Sequence, residues 1–302
     1  MRTPLYTVAL LAAALLLAGC RTVPAQAEAP QAAAHPPAAD TVPAHDNLNA
    51  VLWLQRSMEY RALSETVFRA ATERLDAALA DPSWDALVPA ERAAAGDAAS
   101  LPPAVILDID ETVLDNSPYQ ARLVVDGKEF ADPAWDAWVE ERRATAVPGA
   151  VAFTRAAADK GITVFYVSNR SAALTEATLA NLRSEGLPVQ HGDVFLGLGM
   201  QVPGCEQKGS GKTCRRQLVG REHRVLMQFG DQLGDFVQAT ANTPEQQMQL
   251  HAEYRAWFGE RWWMLPNPTY GAWEPAQFNN AWSLPQGERR QHKRDALRLD
   301  RD

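Results

Sequence analysis

Residues 104–112 read Ala-Val-Ile-Leu-Asp-Ile-Asp-Glu-Thr and place two aspartates, Asp108 and Asp110, at the end of an apolar run. A short continuous apolar run is typical of a buried β-strand. In an open α/β sheet, ligands bind just beyond the carboxyl ends of the strands. Two neighbouring carboxylates repel each other, and a divalent cation with hard oxygen ligands relieves that repulsion. The stretch therefore predicts a strand that ends in a phosphoryl-transfer site holding a divalent cation.

Strand-like and helix-like segments alternate along the rest of the chain. Strand-like runs lie at 103–107, 162–167, 193–197, 224–229 and 261–265. Helical segments lie at 133–144, 149–160, 174–185, 212–222 and 244–259, and residues 47–80 show helical apolar spacing. This alternation predicts an α/β fold with a mostly parallel sheet that is covered on both faces. After Asp110 we expect a turn rather than a long helix, because Pro118 soon interrupts the chain.

The second predicted strand ends in a polar turn. Ser168, Asn169 and Arg170 carry a hydroxyl, an amide and a guanidinium, which are donors suited to phosphoryl oxygens. Lys208 and Lys212 precede or begin the next predicted helix, and either is a candidate anion ligand. Taken singly, each of these residues is equally compatible with an ordinary polar turn or a solvated loop.

The fourth predicted strand also ends in carboxylates. Gly230 is followed by Asp231 and, four residues later, by Asp235. Both side chains can face the same cation, whereas a capping role explains only one of them. This turn therefore predicts further ligands for the cation at Asp108.

Several other kinds of site are excluded. Residues 211–213, Gly-Lys-Thr, imitate a P-loop, but Glu206 stands where its first glycine belongs. An EF-hand at the first motif fails because Val113 and Tyr119 replace the required glycine and glutamate. The six histidines include no His-Glu-x-x-His pair, which argues against zinc. The net charge of −8, without a basic cluster, argues against a nucleic-acid partner.

Residues 1–19 predict a secretory signal peptide, because their apolar stretch at 8–17 is too short for a permanent membrane span. Residues 17–20, Leu-Ala-Gly-Cys, resemble the bacterial lipobox, which implies lipidation of Cys20 and a membrane anchor. Arg21 follows rather than aspartate, so we expect the outer membrane. A generic signal with an incidental cysteine is the alternative.

The remaining chain divides by composition. Residues 20–45 are rich in Ala and Pro and predict a disordered tether. Residues 46–285 suit one α/β domain, and the charged residues 286–302 suit a solvated helix or frayed tail. In an oxidising compartment Cys205 and Cys214 are left as a pair, so we expect a disulfide, with two free thiols as the alternative.

The order of the motifs resembles the haloacid dehalogenase-like phosphatase superfamily. Asp-x-Asp-x-Thr, then strand and serine, then lysine, then Gly-Asp-x-x-x-Asp follow successive predicted strands. Leu-Asp-Asn-Ser-Pro-Tyr at 114–119, Ala-Val-Pro-Gly-Ala at 146–150 and Leu-Pro-Asn-Pro-Thr-Tyr-Gly-Ala-Trp-Glu at 265–274 narrow the resemblance. They look like the class C acid phosphatases, the outer-membrane lipoprotein e group of 5′-nucleotidases.

This resemblance covers residues from about 47 to about 285. It implies a three-layer Rossmann-like parallel sheet with a small, mainly helical cap. The cap segments are expected at about 46–100, 118–147 and 236–285.

The resemblance also implies a role for each motif residue. Asp108 is expected to attack phosphorus and form an aspartyl-phosphate, and Asp110 to act as general acid and then base, which suits an acidic optimum. Mg²⁺ is expected to be held by Asp108, Asp231 and the backbone carbonyl of Asp110, with Asp235 in or just beyond the ligand set. The expected ligands of the phosphoryl group are Ser168, Asn169, Arg170 and either Lys212 or Lys208.

Specificity is expected to come from aromatic rings outside the motifs. Phe130, Trp135 and Tyr270 are expected to stack on a nucleobase, with ordinary core packing as the alternative, and Trp138 is expected to be core. The predicted activity is hydrolysis of 5′-nucleotides and other small phosphate monoesters. An inactive binding lipoprotein and a phosphotransferase to alcohol acceptors are the rival functions, and a homodimer is left open.

Overall fold

The computed structural model describes residues 44–206 and 209–300. Its strands are β1 (Pro103–Leu107), β2 (Leu114–Asp115), β3 (Thr145–Ala146), β4 (Thr163–Ser171), β5 (Phe195–Leu198), β6 (Arg224–Gly230) and β7 (Trp262–Met264). Its α-helices are α1 (Leu48–Arg56), α2 (Met58–Ala80), α3 (Pro89–Ala95), α4 (Ser117–Asp126), α5 (Asp132–Glu141), α6 (Ala150–Asp159), α7 (Thr175–Ser184), α8 (Thr213–Glu222), α9 (Pro244–Glu253) and α10 (Gln286–Asp295). Within these residues, no helix combines the length and the apolar character that crossing a bilayer requires.

Five strands form one sheet in the order β5-β4-β1-β6-β7, and every neighbouring pair is parallel. The predicted α/β class with a parallel sheet is confirmed. Successive strands β1, β4 and β5 step outward on one side, and the chain then returns through α8 to β6 on the other side of β1. Because parallel crossovers are right-handed, α6 and α8 lie on opposite faces of the sheet.

Both faces of the sheet are covered by paired helices. On one face α2 packs against α6, and Phe68 of α2 stacks on Phe229 of β6 with ring centroids 5.5 Å apart. Phe153 of α6 contacts the same Phe229 ring at 4.4 Å. On the other face α8 packs against α3. The sheet and these helices enclose one continuous apolar core.

Several element boundaries differ from the sequence prediction. The helical stretch at 47–80 is two helices, because Ser57 leaves the helical conformation and its hydroxyl accepts a hydrogen bond from the backbone N–H of Tyr60. Pro118 lies in the first turn of α4 instead of interrupting the chain, since a first-turn residue needs no N–H donor. The strand expected at 193–197 begins only at Phe195, after a short 3₁₀ turn.

An insertion between β1 and α6 contains α4, α5 and the antiparallel β2–β3 hairpin. Its first strand, β2, begins four residues after Asp110, so the insertion starts close in sequence to the predicted site. The charged segment after 285 forms α10, which is attached to the domain by ion pairs. Arg289 is buried and donates to Glu129 at 2.8 Å, and Lys293 donates to Glu274 at 3.0 Å.

Candidate active site

The carboxyl ends of three adjacent strands converge at one edge of the sheet. Asp108 directly follows β1, Ser168 lies three residues before the end of β4, and Asp231 directly follows β6. Strand β1 is the point at which the order of the sheet reverses, since β4 lies on one side and β6 on the other. Such a switch point leaves a crevice at the strand ends, where α/β proteins bind ligands.

Lys212 bridges two carboxylates in this crevice. It is the residue before α8, and its Nζ lies 2.5 Å from Oδ1 of Asp108 and 2.7 Å from Oδ1 of Asp235. All three side chains are buried. Burial alone would lower the pKa of Lys212, but the two carboxylates outweigh it and raise that pKa. Lys212 is therefore a fixed positive charge beside Asp108.

Asp108, Asp231 and Asp235 form a cluster in which one carboxylate oxygen from each lies within 4.8 Å of the others. Burial, followed by Asp235 and Asp108, raises the pKa of Asp231 well above its usual range. Burial likewise raises the pKa of Asp108, which Lys212 opposes. Oδ1 of Asp231 has no hydrogen-bond partner among the described residues. This all-oxygen donor set with an unsatisfied oxygen fits a hard divalent cation such as Mg²⁺.

Gly230 is required for this cluster to form. A Cβ at position 230 would lie 2.3 Å from the side chain of Asp235, closer than any real contact. The same Asp235 side chain accepts a hydrogen bond from the backbone N–H of Gln232 at 2.9 Å, which closes the turn after β6. The glycine therefore lets Asp235 fold back to Lys212 and the cluster.

The carboxylate of Asp110 points to a different set of groups. Oδ1 accepts hydrogen bonds from Arg170 Nε at 2.8 Å and Asn116 Nδ2 at 2.9 Å, and Oδ2 accepts one from Ser168 Oγ at 3.2 Å. Its side chain is not part of the three-carboxylate cluster. Arg170 is 1% exposed, so its Nε faces Asp110 instead of open solvent. Asn116 was not singled out from the sequence.

Two adjacent arginines of α8, also missed by the sequence analysis, hold the loops of the site. Arg215 donates to the carbonyl oxygen of Ser168, to Oδ1 of Asn169 at 2.8 Å and to the carbonyl oxygen of Gly211 at 3.1 Å. It therefore joins the end of β4 to the loop that precedes Lys212. In the sequence, this pair of arginines looks like a solvated helix face.

Arg216 holds the turn after β6. It forms a two-point ion pair with Glu91 of α3, with Nε–Oε2 and Nη2–Oε1 distances of 2.8 and 2.5 Å. Its remaining nitrogen donates to the carbonyl oxygens of Gly234 and Asp235, each at 3.0 Å. Since Glu91 and Arg216 are both buried, each charge depends on the other.

The buried Glu111, next to Asp110 in sequence, pairs with the partly buried Tyr270. Glu111 has a left-handed backbone with φ of 57°, which is uncommon for a residue other than glycine. Its carboxyl group accepts hydrogen bonds from the Tyr270 hydroxyl and from the backbone N–H of Asn116 at 3.0 Å. Burial raises the pKa of Glu111 to about 8. The pair ties the loop at 265–274 to the turn that carries Asp110.

The three rings predicted to stack on a base differ in exposure. Phe130 is 58% exposed, and its ring centroid lies 6.2 Å from that of Trp135. Trp135 also packs edge-on against Tyr119 at 5.2 Å. Tyr270 directs its hydroxyl to Glu111. Trp138 is buried, as expected for a core residue.

Some predicted residues lie elsewhere. Cys205 and Cys214 form a disulfide with Cα atoms 5.6 Å apart, next to Lys212 in sequence. Lys208, Cys20, the signal peptide at 1–19 and nearly all of the predicted tether lie outside the described residues.

Comparison with known proteins identifies the relatives of this chain. Residues 9–273 match the family described as HAD superfamily, subfamily IIIB (Acid phosphatase). The chain belongs to this family. Its fold is similar to that of the class C acid phosphatase from Bacillus anthracis, with a TM-score of 0.72 and 33% identity over 84% of this chain and 97% of that one. The same similarity holds for the Bacillus anthracis structure with tungstate bound.

Curated relatives are more distant. Acid phosphatase 1 from Solanum lycopersicum is 26% identical over 170 residues, which cover 55% of this chain and 57% of the relative. Vegetative storage protein 1 from Arabidopsis thaliana is 25% identical over 166 residues, which cover 55% of this chain and 54% of the relative. The chain thus spans somewhat more than half the length of the curated relatives it matches.

Proposed function

We propose that this protein is an Mg²⁺-dependent acid phosphomonoesterase that works through an aspartyl-phosphate. The observation that carries the proposal is the convergence of Asp108, Lys212 and the carboxylates of Asp231 and Asp235 at one strand edge. A nucleophilic carboxylate beside fixed positive charge is what transfer of an anionic phosphoryl group requires. Membership of an acid phosphatase family supports the same reaction.

In the proposed first step, an oxygen of Asp108 bonds to phosphorus while the ester P–O bond breaks. Asp110 gives its proton to the departing oxygen. In the second step, Asp110 takes a proton from water as the water oxygen bonds to phosphorus, and the bond to Asp108 breaks. Lys212 neutralises charge on the transferring oxygens throughout, and Ser168 and Asn169 bind them.

Asp108, Asp231 and the backbone carbonyl of Asp110 are the proposed ligands of Mg²⁺, with Asp235 holding Lys212 at the edge of the ligand set. A bound Mg²⁺ supplies positive charge to the phosphoryl oxygens and lowers the repulsion between substrate and carboxylates. The bare carboxyl oxygen of Asp231 supports this assignment, since a buried carboxylate needs a partner.

The proposed substrates are 5′-nucleotides and other small phosphate monoesters. The exposed Phe130 and its neighbour Trp135 offer ring surface beside Arg170, whose guanidinium carbon lies 5.7 Å from the Trp135 ring centre. Base stacking on such rings tolerates different bases. Tungstate, found with the Bacillus anthracis relative, is a tetrahedral oxyanion like phosphate, which supports phosphate esters as the substrate class.

We also propose that the mature protein is a lipoprotein of the outer membrane, anchored through Cys20, where it releases nucleosides for uptake. The Leu-Ala-Gly-Cys motif at 17–20 supports this location. A Cys20→Ala variant should move from the membrane fraction to the soluble fraction and lose labelling by radioactive palmitate. Unchanged membrane association would contradict the anchor.

The reaction is tested with p-nitrophenyl phosphate at acidic pH. Asp108→Asn should reduce turnover to the background rate and prevent trapping of labelled aspartyl-phosphate after acid quench, while Asp110→Asn should reduce kcat strongly. EDTA should abolish activity and Mg²⁺ should restore it. Most of the turnover remaining in Asp108→Asn would refute the assigned nucleophile, and full activity in EDTA would refute the metal. Product analysis with added nucleoside separates hydrolysis from phosphotransfer.

A further inference from the structure

The side chain of Asp110 is held by three buried residues, Ser168, Arg170 and Asn116, which together form the Asp110 clamp. The two carboxylate oxygens of Asp110 differ in the number and length of the hydrogen bonds that they accept. Oδ1 accepts hydrogen bonds from Arg170 Nε at 2.8 Å and from Asn116 Nδ2 at 2.9 Å, and Arg170 Nη2 also lies 2.8 Å from it. Oδ2 accepts only the Ser168 hydroxyl, at 3.2 Å, which is long for an O–H···O hydrogen bond.

The orientation of Asn116 is fixed by its own neighbours. Its Oδ1 accepts hydrogen bonds from Trp138 Nε1 at 2.8 Å and from Arg170 Nη2 at 3.2 Å. Because both of these groups can only donate, the amide must present its oxygen to them and its NH₂ group to Asp110. The indole of Trp138 thereby determines which end of the Asn116 amide faces the carboxylate.

Arg170 is fixed in a similar way. Its Nε bonds to Asp110, its Nη2 bonds to Asn116, and its backbone N–H donates to Ser168 Oγ at 3.1 Å. The face of Trp135 lies on another side of the guanidinium. Because Ser168 Oγ accepts from the Arg170 backbone, its single hydrogen can donate to Oδ2 of Asp110 before substrate binds and to a phosphoryl oxygen once substrate is bound.

We propose that Arg170 and Asn116 are positioning residues that anchor Oδ1 of Asp110 and leave Oδ2 as the atom that gives and takes the proton. The inference rests on the proposed function, in which Asp110 is the general acid and base. Each carboxylate oxygen offers about two lone-pair directions, and both of those on Oδ1 are occupied by N–H donors. Oδ2 retains a free direction and only one weak partner.

The proton balance follows from this division. Protonated Oδ2 donates its hydrogen to the leaving oxygen as the ester bond breaks, and the electron pair of that bond stays on the leaving oxygen. The resulting Asp110 carboxylate faces the positive charge of Arg170. In the second step, Oδ2 accepts a proton from the attacking water. Arg170 and Asn116 touch neither substrate nor water in this scheme and act only through Asp110.

A series of leaving groups tests the clamp. p-Nitrophenolate departs readily without a proton, whereas an alkoxide must be protonated as it leaves, so misplacing the acid affects alkyl phosphates most. For Asn116→Ala we expect kcat/KM to fall by about 10²-fold on an alkyl phosphate and by less than about 10-fold on p-nitrophenyl phosphate. Arg170→Lys keeps the charge but loses the two-point geometry, so it should show the same selectivity. A merely structural role would lower both rates equally.

Two further variants keep the test decisive if Asn116→Ala or Arg170→Lys folds poorly. Trp138→Phe keeps an aromatic side chain but removes the indole N–H that orients Asn116, and it should show the same selectivity with a smaller fall in kcat/KM. Arg122→Ala is the matched control, because its guanidinium lies over the Trp138 ring 4.9 Å from the centroid and pairs with Glu141, away from Asp110. This control should leave the ratio of the two rates unchanged.

Asp110→Asn provides the reference for all of these variants. If it shows selective loss on alkyl phosphates and the Asn116, Arg170 and Trp138 variants do not, the clamp is wrong and the proposed acid stands. If Asp110→Asn lowers kcat/KM equally on both substrates, the proposed general acid is wrong, and the clamp with it. The comparison uses kcat/KM because loss of the base in the second step lowers kcat on every substrate. Selective loss in Asp110→Asn and in the clamp variants together supports the inference.

Discussion

Asp231→Asn should stabilise the metal-free protein while it destroys metal binding and activity. The substitution removes one charge from a cluster in which the partly buried Asp231 and the buried Asp108 and Asp235 have carboxylate oxygens within 4.8 Å of each other. It keeps the shape of the side chain, and the new amide oxygen can still accept the hydrogen bond that Asn267 Nδ2 donates at 2.8 Å. The new NH₂ group faces the carboxylates of Asp108 and Asp235, one acceptor for each of its two hydrogens.

The magnitude follows from two limits. At an effective dielectric constant of about 20, two charges at the 4.8 Å limit of the cluster repel by about 3.5 kcal/mol. Asp231 faces two such charges, which the Lys212 cation partly neutralises. The repulsion cannot destabilise the fold by more than the free energy of protonating Asp231, because protonation removes its charge. From the ordinary pKa of 3.8, protonation costs about 1.4 kcal/mol per pH unit, or about 5 kcal/mol near pH 7.5 and about 1.6 near pH 5. We therefore expect Asp231→Asn to gain about 2 to 4 kcal/mol near pH 7.5 and less than about 1.5 near pH 5.

The sign of the pH dependence is fixed by the raised pKa of Asp231. Between the unfolded and folded pKa values the folded protein binds more protons than the unfolded chain, so its stability falls as pH rises. In Asp231→Asn this contribution is absent, so its stability should not show this fall with rising pH. Saturating Mg²⁺ should reverse the ranking, because it binds and stabilises only the wild-type folded state.

The measurement is urea denaturation in EDTA and in Mg²⁺ at both pH values. The exposed Asp136, changed to Asn, is the control for loss of one carboxylate, and it should behave as wild type. A metal-free Asp231→Asn protein that is less stable than wild type near pH 7.5 would refute the reasoning. So would a gain of equal size at the two pH values.

Three further changes test the framework of the site. Lys212→Met should lower kcat for p-nitrophenyl phosphate by at least about 10²-fold through loss of its charge, and a rate within about twofold of wild type would exclude that role. Glu91→Gln should lower the free energy of unfolding by about 2 to 4 kcal/mol, because it leaves the buried Arg216 cation without its carboxylate partner. Urea denaturation measures this free energy, and an unchanged value would contradict the prediction. Replacing Cys205 and Cys214 by serine should cost about 2 to 3 kcal/mol for a loop with a sequence separation of 9, and a reductant should then have no additional effect on the melting temperature.

Much of the fold could be predicted from local pattern. The strand at 103–107 has the predicted bounds, since five consecutive residues of apolar character followed by Asp108 have few other structures to adopt. Pro118 shows the limit of such reasoning. Its missing N–H is harmful inside a helix but harmless in the first turn, and the position of that turn depends on where the chain leaves β1.

The site was only partly predictable, because its supporting contacts join residues far apart in sequence. Lys212 meets Asp108 across 104 positions, and Arg216 meets Glu91 across 125. Nothing local distinguishes the buried Arg215 and Arg216 from a solvated pair, since charge on a helix usually faces water. They are buried only because loops from other strands present carbonyl oxygens to them.

By itself the sequence determined the alternation of strands and helices and the carboxylates that end β1 and β6, because hydrophobic periodicity and strand-end position are local properties. The tertiary structure decided which charges face one another. It placed Arg170 on Asp110, Lys212 between Asp108 and Asp235, and the Tyr270 hydroxyl on Glu111. The physical reason is that a buried charge requires a specific partner at hydrogen-bond distance, and only the folded packing of distant segments supplies that partner.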